Sequence, residues 1–265
     1  MTTSQQWNAR DYAQHSSAQL RWAEELIPKL GLRGHESLLD LGCGEGKITA
    51  LIADRLPQGR VLGLDLSPEM IALAAAQFPP STHPNLAFLQ MDVSRIALGQ
   101  VFDIAFSNAA LHWVADHLAV LRGVRACLRP EGRILFQMGG RGNAAGILAA
   151  LEEVLTRPHW ADHFRGFANP YSFYGPEQYE DWLPQAKFRP LRLELVPKDM
   201  QHPDAAGLLG WLRTVWFPYT DRLPGDRREA FLGEVVETYL AAYPADSAGR
   251  THVAMVRLEV EAHAC

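Results

Sequence analysis

Ser37-Leu-Leu-Asp-Leu-Gly-Cys-Gly-Glu-Gly-Lys47 is a short apolar strand that runs straight into three glycines spaced two apart, Gly42, Gly44 and Gly46. Glycine has no Cβ, so such a loop turns tightly and lets a ligand lie against the backbone, at the C-terminal edge of the sheet where open α/β folds bind ligands. Around this stretch the chain alternates. Apolar runs at 38–41, 61–64, 86–91, 102–107 and 133–138 read as strands, and 47–56, 68–78 and 117–128 read as helices. Ser67 is placed to cap the helix that Pro68 opens. A leading amphipathic helix over 11–30 carries Leu20, Ala23, Leu26, Ile27 and Leu30 at helical spacing, with Gly31 and Gly34 as stop signals. Strands alternating with helices predict a parallel sheet covered on both faces.

The second half has another pattern. Residues 189–196 and 252–260 alternate apolar and polar side chains, as half-buried strands do, and could pair as an antiparallel edge. Between them lie helix-like stretches at 205–215 and 226–242, joined through Trp216-Phe217-Pro218-Tyr219. An excursion of this length predicts a cap. The expected organisation is an N-terminal helical segment at 1–34, a core at 35–201 and 252–265, and a helical cap at 202–251.

Composition narrows the function. The 265 residues carry 25 basic and 30 acidic side chains, and a 48% apolar, 21% charged make-up is that of a globular protein. Arginine supplies 21 of the 25 basic residues, but they are scattered and form no basic run, which argues against nucleic acid. Cys43, Cys127 and Cys265 have neither disulfide-framework nor zinc spacing, and His117, His159, His163 and His202 lack the carboxylate spacing of a metal site. With no apolar run near the ~20 residues of a membrane span and a polar start, the expectation is a cytoplasmic protein without metal, nucleic-acid or membrane partners.

Asp65 ends the second strand, 19 residues after Gly46, where a carboxylate can accept from two ribose hydroxyls. Dinucleotide- and S-adenosylmethionine-binding proteins share that feature. The dinucleotide fingerprint is Gly-x-Gly-x-x-Gly, whereas here the third glycine comes one position early. Asp40, just before the loop, would repel a pyrophosphate and suits an ammonium. Lys47 is followed by Ile48, so the Gly-Lys-Ser/Thr phosphate loop is absent as well. Asp92, in Gln90-Met-Asp-Val93, could accept from an adenine amino group, with Leu66, Met70 and Met91 against the ring faces. Cys43 in the loop, Val93 beside Asp92 and Asn108 at the end of the fourth strand complete the set. His112 and Trp113 follow over the same edge.

This combination resembles the class I S-adenosylmethionine-dependent methyltransferases over about residues 35–140. The resemblance implies S-adenosyl-L-methionine as cofactor and a Rossmann-like α/β fold: seven strands, mostly parallel, with a final antiparallel pair and a helical cap between the last two. Residues 108–121, Phe136-Gln-Met138, 211–222, Glu229-Ala-Phe-Leu and Ala241-Ala-Tyr-Pro244 are similar to the trans-aconitate methyltransferases, which esterify a small polycarboxylate. The related malonyl-acyl-carrier-protein and juvenile hormone acid methyltransferases also esterify carboxylic acids. A small anionic acceptor, methylated on a carboxylate oxygen by a monomer or homodimer, is what the resemblance implies.

It also implies that the N-terminal segment folds over the cofactor, which assigns Tyr12 and His15 to the cofactor and Gln14 to the acceptor. Further acceptor candidates are His112, Trp113, Arg141, Arg213, Trp216, Tyr219 and Arg222, arginine because its planar fork matches a carboxylate. Such an acceptor is already ionised near pH 7 and requires no base. Two departures bear on the acceptor alone: His112 stands where the trans-aconitate enzymes tend to carry glutamine, and Gly139-Gly-Arg-Gly142 replaces their usual continuation. Two alternatives stay open. The acceptor could be a hydroxyl, amine or carbon, with His112 as base, or the chain could be a non-catalytic binding module. The cap aromatics Trp211, Trp216, Phe217 and Tyr219 could equally be the small core of a helical excursion.

Overall fold

The computed structural model describes residues 17–265, with side chains from Trp22 onward. Tyr12, Gln14 and His15 lie outside the described residues. Five strands match the apolar runs: β1 (Ser37–Leu41), β2 (Arg60–Asp65), β3 (Leu86–Gln90), β4 (Phe102–Asn108) and β5 (Leu128–Gly139). The two alternating segments form β6 (Phe188–His202) and β7 (Thr251–Ala264), each longer at both ends than its sequence pattern. The strands join in one sheet of order β3-β2-β1-β4-β5-β7-β6. The first five are parallel and β7 runs antiparallel to β5.

Helices α1 (Ser17–Leu26), α2 (Lys47–Ala53), α3 (Pro68–Gln77) and α4 (His117–Ala126) fall where the periodicity placed them. Ser67 caps α3 as expected, its Oγ accepting the Met70 N–H at 3.2 Å, and Asp116 Oδ1 does the same for Ala119 at the start of α4. The longest helices to escape the sequence reading are α5 (Ala145–Leu155) and α6 (Pro176–Gln185). The first opens behind Gly-Asn-Ala, with Ala144 in the left-handed region at φ 51°, and the second carries Pro184 in its last turn, so each has breaker residues at an end. Beyond them come α7 (Ala205–Val215) and α8 (Arg228–Ala242).

The chain forms two compact units. One comprises Ser16–Arg141, Tyr171–Val196 and Arg257–Cys265. On one face of its sheet Leu38, Val61, Ile104 and Phe106 pack under Leu26 and Leu30 and under Ala50, Ile52 and Ala53 of α2. On the other, Leu39, Leu41, Leu64 and Phe136 pack under Val120, Leu121 and Val124 of α4 and Tyr179 and Leu183 of α6. Alternate residues of β1 thus serve opposite layers, the period-two rule of a strand covered on both sides.

The other unit holds Gly142–Pro170 and Pro197–Val256. It is larger than the 202–251 excursion expected, because α5 packs on α8 and brings 142–170 with it. A Cβ at Gly146 would lie 2.9 Å from the rings of Tyr239 and Tyr243, and Arg157 reaches Glu234 at 2.6 Å and Thr238 at 2.8 Å.

Candidate active site

The glycine loop is tied to the next strand by its own backbone. Gly42 and Cys43 N–H donate to the Leu64 carbonyl at 2.7 and 2.9 Å, and Gly44 N–H donates to Asp65 Oδ2 at 2.9 Å. The other Asp65 oxygen accepts the Ser67 N–H at 2.9 Å, so one carboxylate links the loop to the start of α3. Gly42 has a positive φ of 74°, and a Cβ there would lie 2.2 Å from the Ala110 Cβ. Gly44, at φ 54°, differs: a Cβ would meet nothing within 4 Å, so the chain leaves open space against its backbone.

Asp40 is buried beneath the loop, with Oδ2 accepting from Thr49 Oγ1 at 2.7 Å. Burial pushes its pKa up to about 7; the Thr49 bond works against that rise and the charge of Asp65 adds to it. Asp65 is also raised, chiefly by burial, with the N–H groups of Ser67, Gly44 and Leu66 opposing. Between the two, the Cys43 thiol is raised well above its ordinary value by burial and then by both carboxylates.

Further along the edge Asp92 accepts from Ser94 N–H at 2.9 Å and Ser94 Oγ at 2.7 Å, both on Oδ1, in the cap of a one-turn helix. Leu66, the residue after β2, is 64% exposed, whereas Met70 is buried, and Met91 and Val93 are half-buried against the core. Asn108 ends β4, and its buried Oδ1 has no hydrogen-bond partner among the described residues. Ala109 then turns the chain in the left-handed region at φ 56°, a conformation that costs an alanine about 1–2 kcal/mol. Strain of this kind persists where surroundings enforce it, often at functional sites. An orphaned acceptor, an open glycine cradle and an exposed leucine are what a nucleoside and amino acid would fill, so these residues fit S-adenosylmethionine.

The turn Leu111–Trp113 carries the acceptor candidates. His117 braces it from below: Nε2 lies 2.8 Å from the Leu111 carbonyl, and Nδ1 lies 2.8 Å from the Tyr179 hydroxyl. A carbonyl only accepts, so His117 carries its proton on Nε2. His112 Nδ1 in turn accepts the N–H of Gly139, the last residue of β5, at 3.4 Å. Burial pushes the His112 pKa down to about 3, with like charge from Arg257 and His117 adding to the shift. Residues Tyr171 and Phe173, which the sequence did not single out, close the other side: their rings stack at 5.5 Å, and Tyr171 lies 4.7 Å from Trp113. The Ser172 N–H fastens this strip to the His112 carbonyl at 2.8 Å.

The arginines proposed from sequence have other partners. Arg141 clamps the start of α6, bonding Glu177 at 2.9 Å and Gln178 at 3.0 Å. In the second unit Arg213 forks onto Glu229 at 2.6 and 2.8 Å, and Arg222 donates to the His163 carbonyl with its guanidinium over Phe167. Tyr219 and Trp216 are buried there, with Tyr219 4.7 Å from Phe167. Burial and then the Glu152 charge raise the Tyr219 hydroxyl, which stays protonated. The cap aromatics therefore form the core of their own unit. A different cation stands near His112. Arg257 of β7 is 3% exposed, pairs in register with Gly139, and lies 3.9 Å over the Trp22 ring.

Comparison with known proteins supports the cofactor assignment. A family described as a methyltransferase domain matches residues 39–136. The chain is 31% identical to a trans-aconitate 2-methyltransferase of Variovorax paradoxus over 97% of both chains, and 31% identical to one of Deinococcus radiodurans over 95% of this chain and 96% of that one. Among solved structures, a Bacillus halodurans protein assigned as a methyltransferase superposes with a TM-score of 0.62 at 14% identity, covering 91% of this chain and 97% of its own. A geranyl diphosphate C-methyltransferase of Streptomyces coelicolor, solved with S-adenosyl-L-homocysteine, gives 0.56 at 14%, covering 93% and 80%. These structures share the fold, but the full-length relatives extend the likeness through both units, and the chain belongs to the class I S-adenosylmethionine-dependent methyltransferases, in the family of the trans-aconitate 2-methyltransferases.

Proposed function

We propose that the protein methylates a carboxylate oxygen of a small polycarboxylic acid of the trans-aconitate kind. The relatives named for that activity motivate the reading, and one observation carries it: the Gly139 N–H occupies His112 Nδ1. The only proton on the neutral ring is then on Nε2, so His112 can offer a hydrogen bond but no basic nitrogen. Its pKa of about 3 agrees, since a general base works best with a pKa near the operating pH. An alcohol, phenol or ammonium must lose a proton to be methylated at neutral pH; a carboxylate has none to lose.

S-adenosylmethionine supplies an electrophilic methyl group, whose C–S bond breaks as the C–O bond of the ester forms. The chain's part is binding and alignment, worth roughly 7–11 kcal/mol when reacting groups are pre-positioned. In this reading the glycine loop, Asp40, Asp65, Asp92 and Asn108 hold the cofactor. His112 donates toward the acceptor, and Trp113, Tyr171 and Phe173 exclude water from it.

The test is methyl transfer to trans-aconitate and simpler carboxylates, with phenols and amines alongside, and product esters identified by mass spectrometry. Esters are expected, with kcat free of any ascending limb from pH 6 to 8, and with His112→Gln keeping kcat within about tenfold because only a donor is replaced. Transfer solely to a phenol or amine, with a rising pH limb lost in His112→Gln, would overturn the reading.

A further inference from the structure

We infer that His117 and Tyr179 are positioning residues for the methyl acceptor: this buried pair joins the two walls of the proposed acceptor site, the Leu111–Trp113 turn and the strip at 171–174, through one imidazole. The inference rests on the acceptor site proposed above and deepens it, because it names what holds that site in shape.

His117 opens α4 and is 1% exposed, and Tyr179 of α6 is fully buried. The Tyr179 hydroxyl has one proton to give. His117 Nδ1 lies 2.8 Å from it and accepts, while the Met138 sulfur, a weaker acceptor, lies 3.4 Å away. His117 Nε2–H then donates to the Leu111 carbonyl at 2.8 Å. The neutral ring thereby uses its single donor and its single acceptor, and the order tyrosine, histidine, carbonyl runs one way only. Burial pushes the His117 pKa down to about 4, against the backbone bonds of Leu111 and Val114 and the charge of Asp116, so the ring is neutral at pH 7.

The second wall is fastened at the same place. Tyr174, just before α6, stands edge-on to the His117 ring at 4.8 Å and donates its hydroxyl proton to the Ala115 carbonyl at 2.8 Å. Arg141 N–H donates to the Tyr174 carbonyl at 2.9 Å, and Ser172 N–H to that of His112 at 2.8 Å. Core packing alone does not require a buried histidine and tyrosine, since two polar partners can be exchanged for apolar groups of the same shape at little net cost. What the pair adds is direction: a hydrogen bond fixes distance and angle, whereas apolar burial does not. The turn needs that constraint, because it follows Ala109, held in the left-handed region at φ 56°. Transfer to an ionised oxygen depends on alignment, and a misplacement of about 1 Å can cost on the order of 10²-fold.

The test compares three variants. His117→Phe keeps a ring and removes both hydrogen bonds; His117→Phe with Tyr179→Phe also removes the hydroxyl left without its nitrogen acceptor; His117→Gln keeps an amide N–H for the Leu111 carbonyl. Each would be measured by thermal melt, by calorimetry with S-adenosyl-L-homocysteine, and by steady-state kinetics on trans-aconitate at saturating cofactor. The expected result in His117→Phe is a kcat lower by on the order of 10²-fold with KM within about threefold. His117→Gln should stay within about tenfold of wild type, and cofactor-product affinity within about twofold throughout. In the double variant the melting temperature should recover toward wild type while kcat does not. A kcat that returns with the melting temperature, or a loss that follows weakened S-adenosyl-L-homocysteine binding, would overturn the positioning role. Nitrogen NMR of the His117 ring gives a readout independent of turnover: a proton on Nε2 and a bare Nδ1 from pH 6 to 8 are expected, and a proton on Nδ1 would overturn it as well.

The same assays keep the two claims distinct. If wild type esterifies trans-aconitate and His117→Phe matches its kcat, the positioning role falls and the carboxylate reading stands. If wild type methylates only a phenol or amine, and the double variant loses kcat on that acceptor while keeping its melting temperature, the reading falls and the positioning role stands.

Discussion

The cofactor edge and the acceptor end are built by different means. Along the first, the backbone provides most of the structure: glycine N–H groups, the Leu64 carbonyl and one doubly bonded Asp65 carboxylate set the loop within a single β-loop-α unit and its neighbour. At the second, proposed from the structure, side chains from distant elements converge, with His112 and Trp113 after β4 and Tyr171 and Phe173 before α6. Where backbone groups make the contacts, residue type matters mainly at the glycines whose φ or close approach requires them, whereas contacts made by side chains change with each residue.

The sharpest way to break that comparison lies inside the glycine loop. Gly42→Ala adds left-handed strain to a 2.2 Å clash with Ala110 and is expected to lose roughly 2–5 kcal/mol of stability, read by chemical denaturation. Gly44→Ala meets open space, so it should cost only the backbone strain of about 1–2 kcal/mol while weakening S-adenosylmethionine far more in proportion. Equal stability losses in the two variants, with unchanged cofactor affinity in the second, would dismiss Gly44 as a cradle.

A smaller effect is expected from pH. Asp40 has a folded pKa raised to about 7, so in the free protein it holds a proton below that value, and the stability this contributes is lost as pH rises through 7. If the cofactor's ammonium pairs with it, binding selects the ionised form and expels that proton. Affinity should then climb by up to about tenfold per pH unit toward 7 and level off above. Calorimetry in buffers of different ionisation enthalpy would count the protons released at pH 6, and a count of zero removes Asp40 from the ammonium site.

The smallest change is expected in the second unit. Arg213→Ala breaks an exposed ion pair with Glu229 and should cost about 0.2–1 kcal/mol by thermal melt, with the KM for the acid unaltered. A clear rise in that KM would instead place Arg213 against the acceptor.

These contrasts also explain what the sequence made legible. The loop, the Ser67 cap and five strands could be read because their causes are local: missing Cβ atoms, a hydroxyl three residues from an N–H, and runs of apolar residues. Arg141 and Arg213 were drawn toward the acceptor by the fold pattern, while their partners Glu177 and Glu229 become visible only in three dimensions. Arg257 was hidden by its strand. In 252–260 polar residues alternate with apolar ones and read as an outward face, but this part of β7 is covered on both sides, so Arg257 and Glu259 are as buried as Leu258 and Val260. A buried arginine inside an alternating pattern was the signal available, and periodicity alone assigns it to solvent.

The thiol in the glycine loop carries a consequence for the protein's life in an oxidising cell. Peroxides and alkylating agents attack the thiolate, and Cys43, at 9% exposure, is kept protonated by burial first and by the charges of Asp40 and Asp65 second. Burial, helped by the same carboxyl groups that suit a cationic ligand, therefore shields the loop from chemical ageing. The exposed Cys265 at the chain's end is the thiol that reagents meet first.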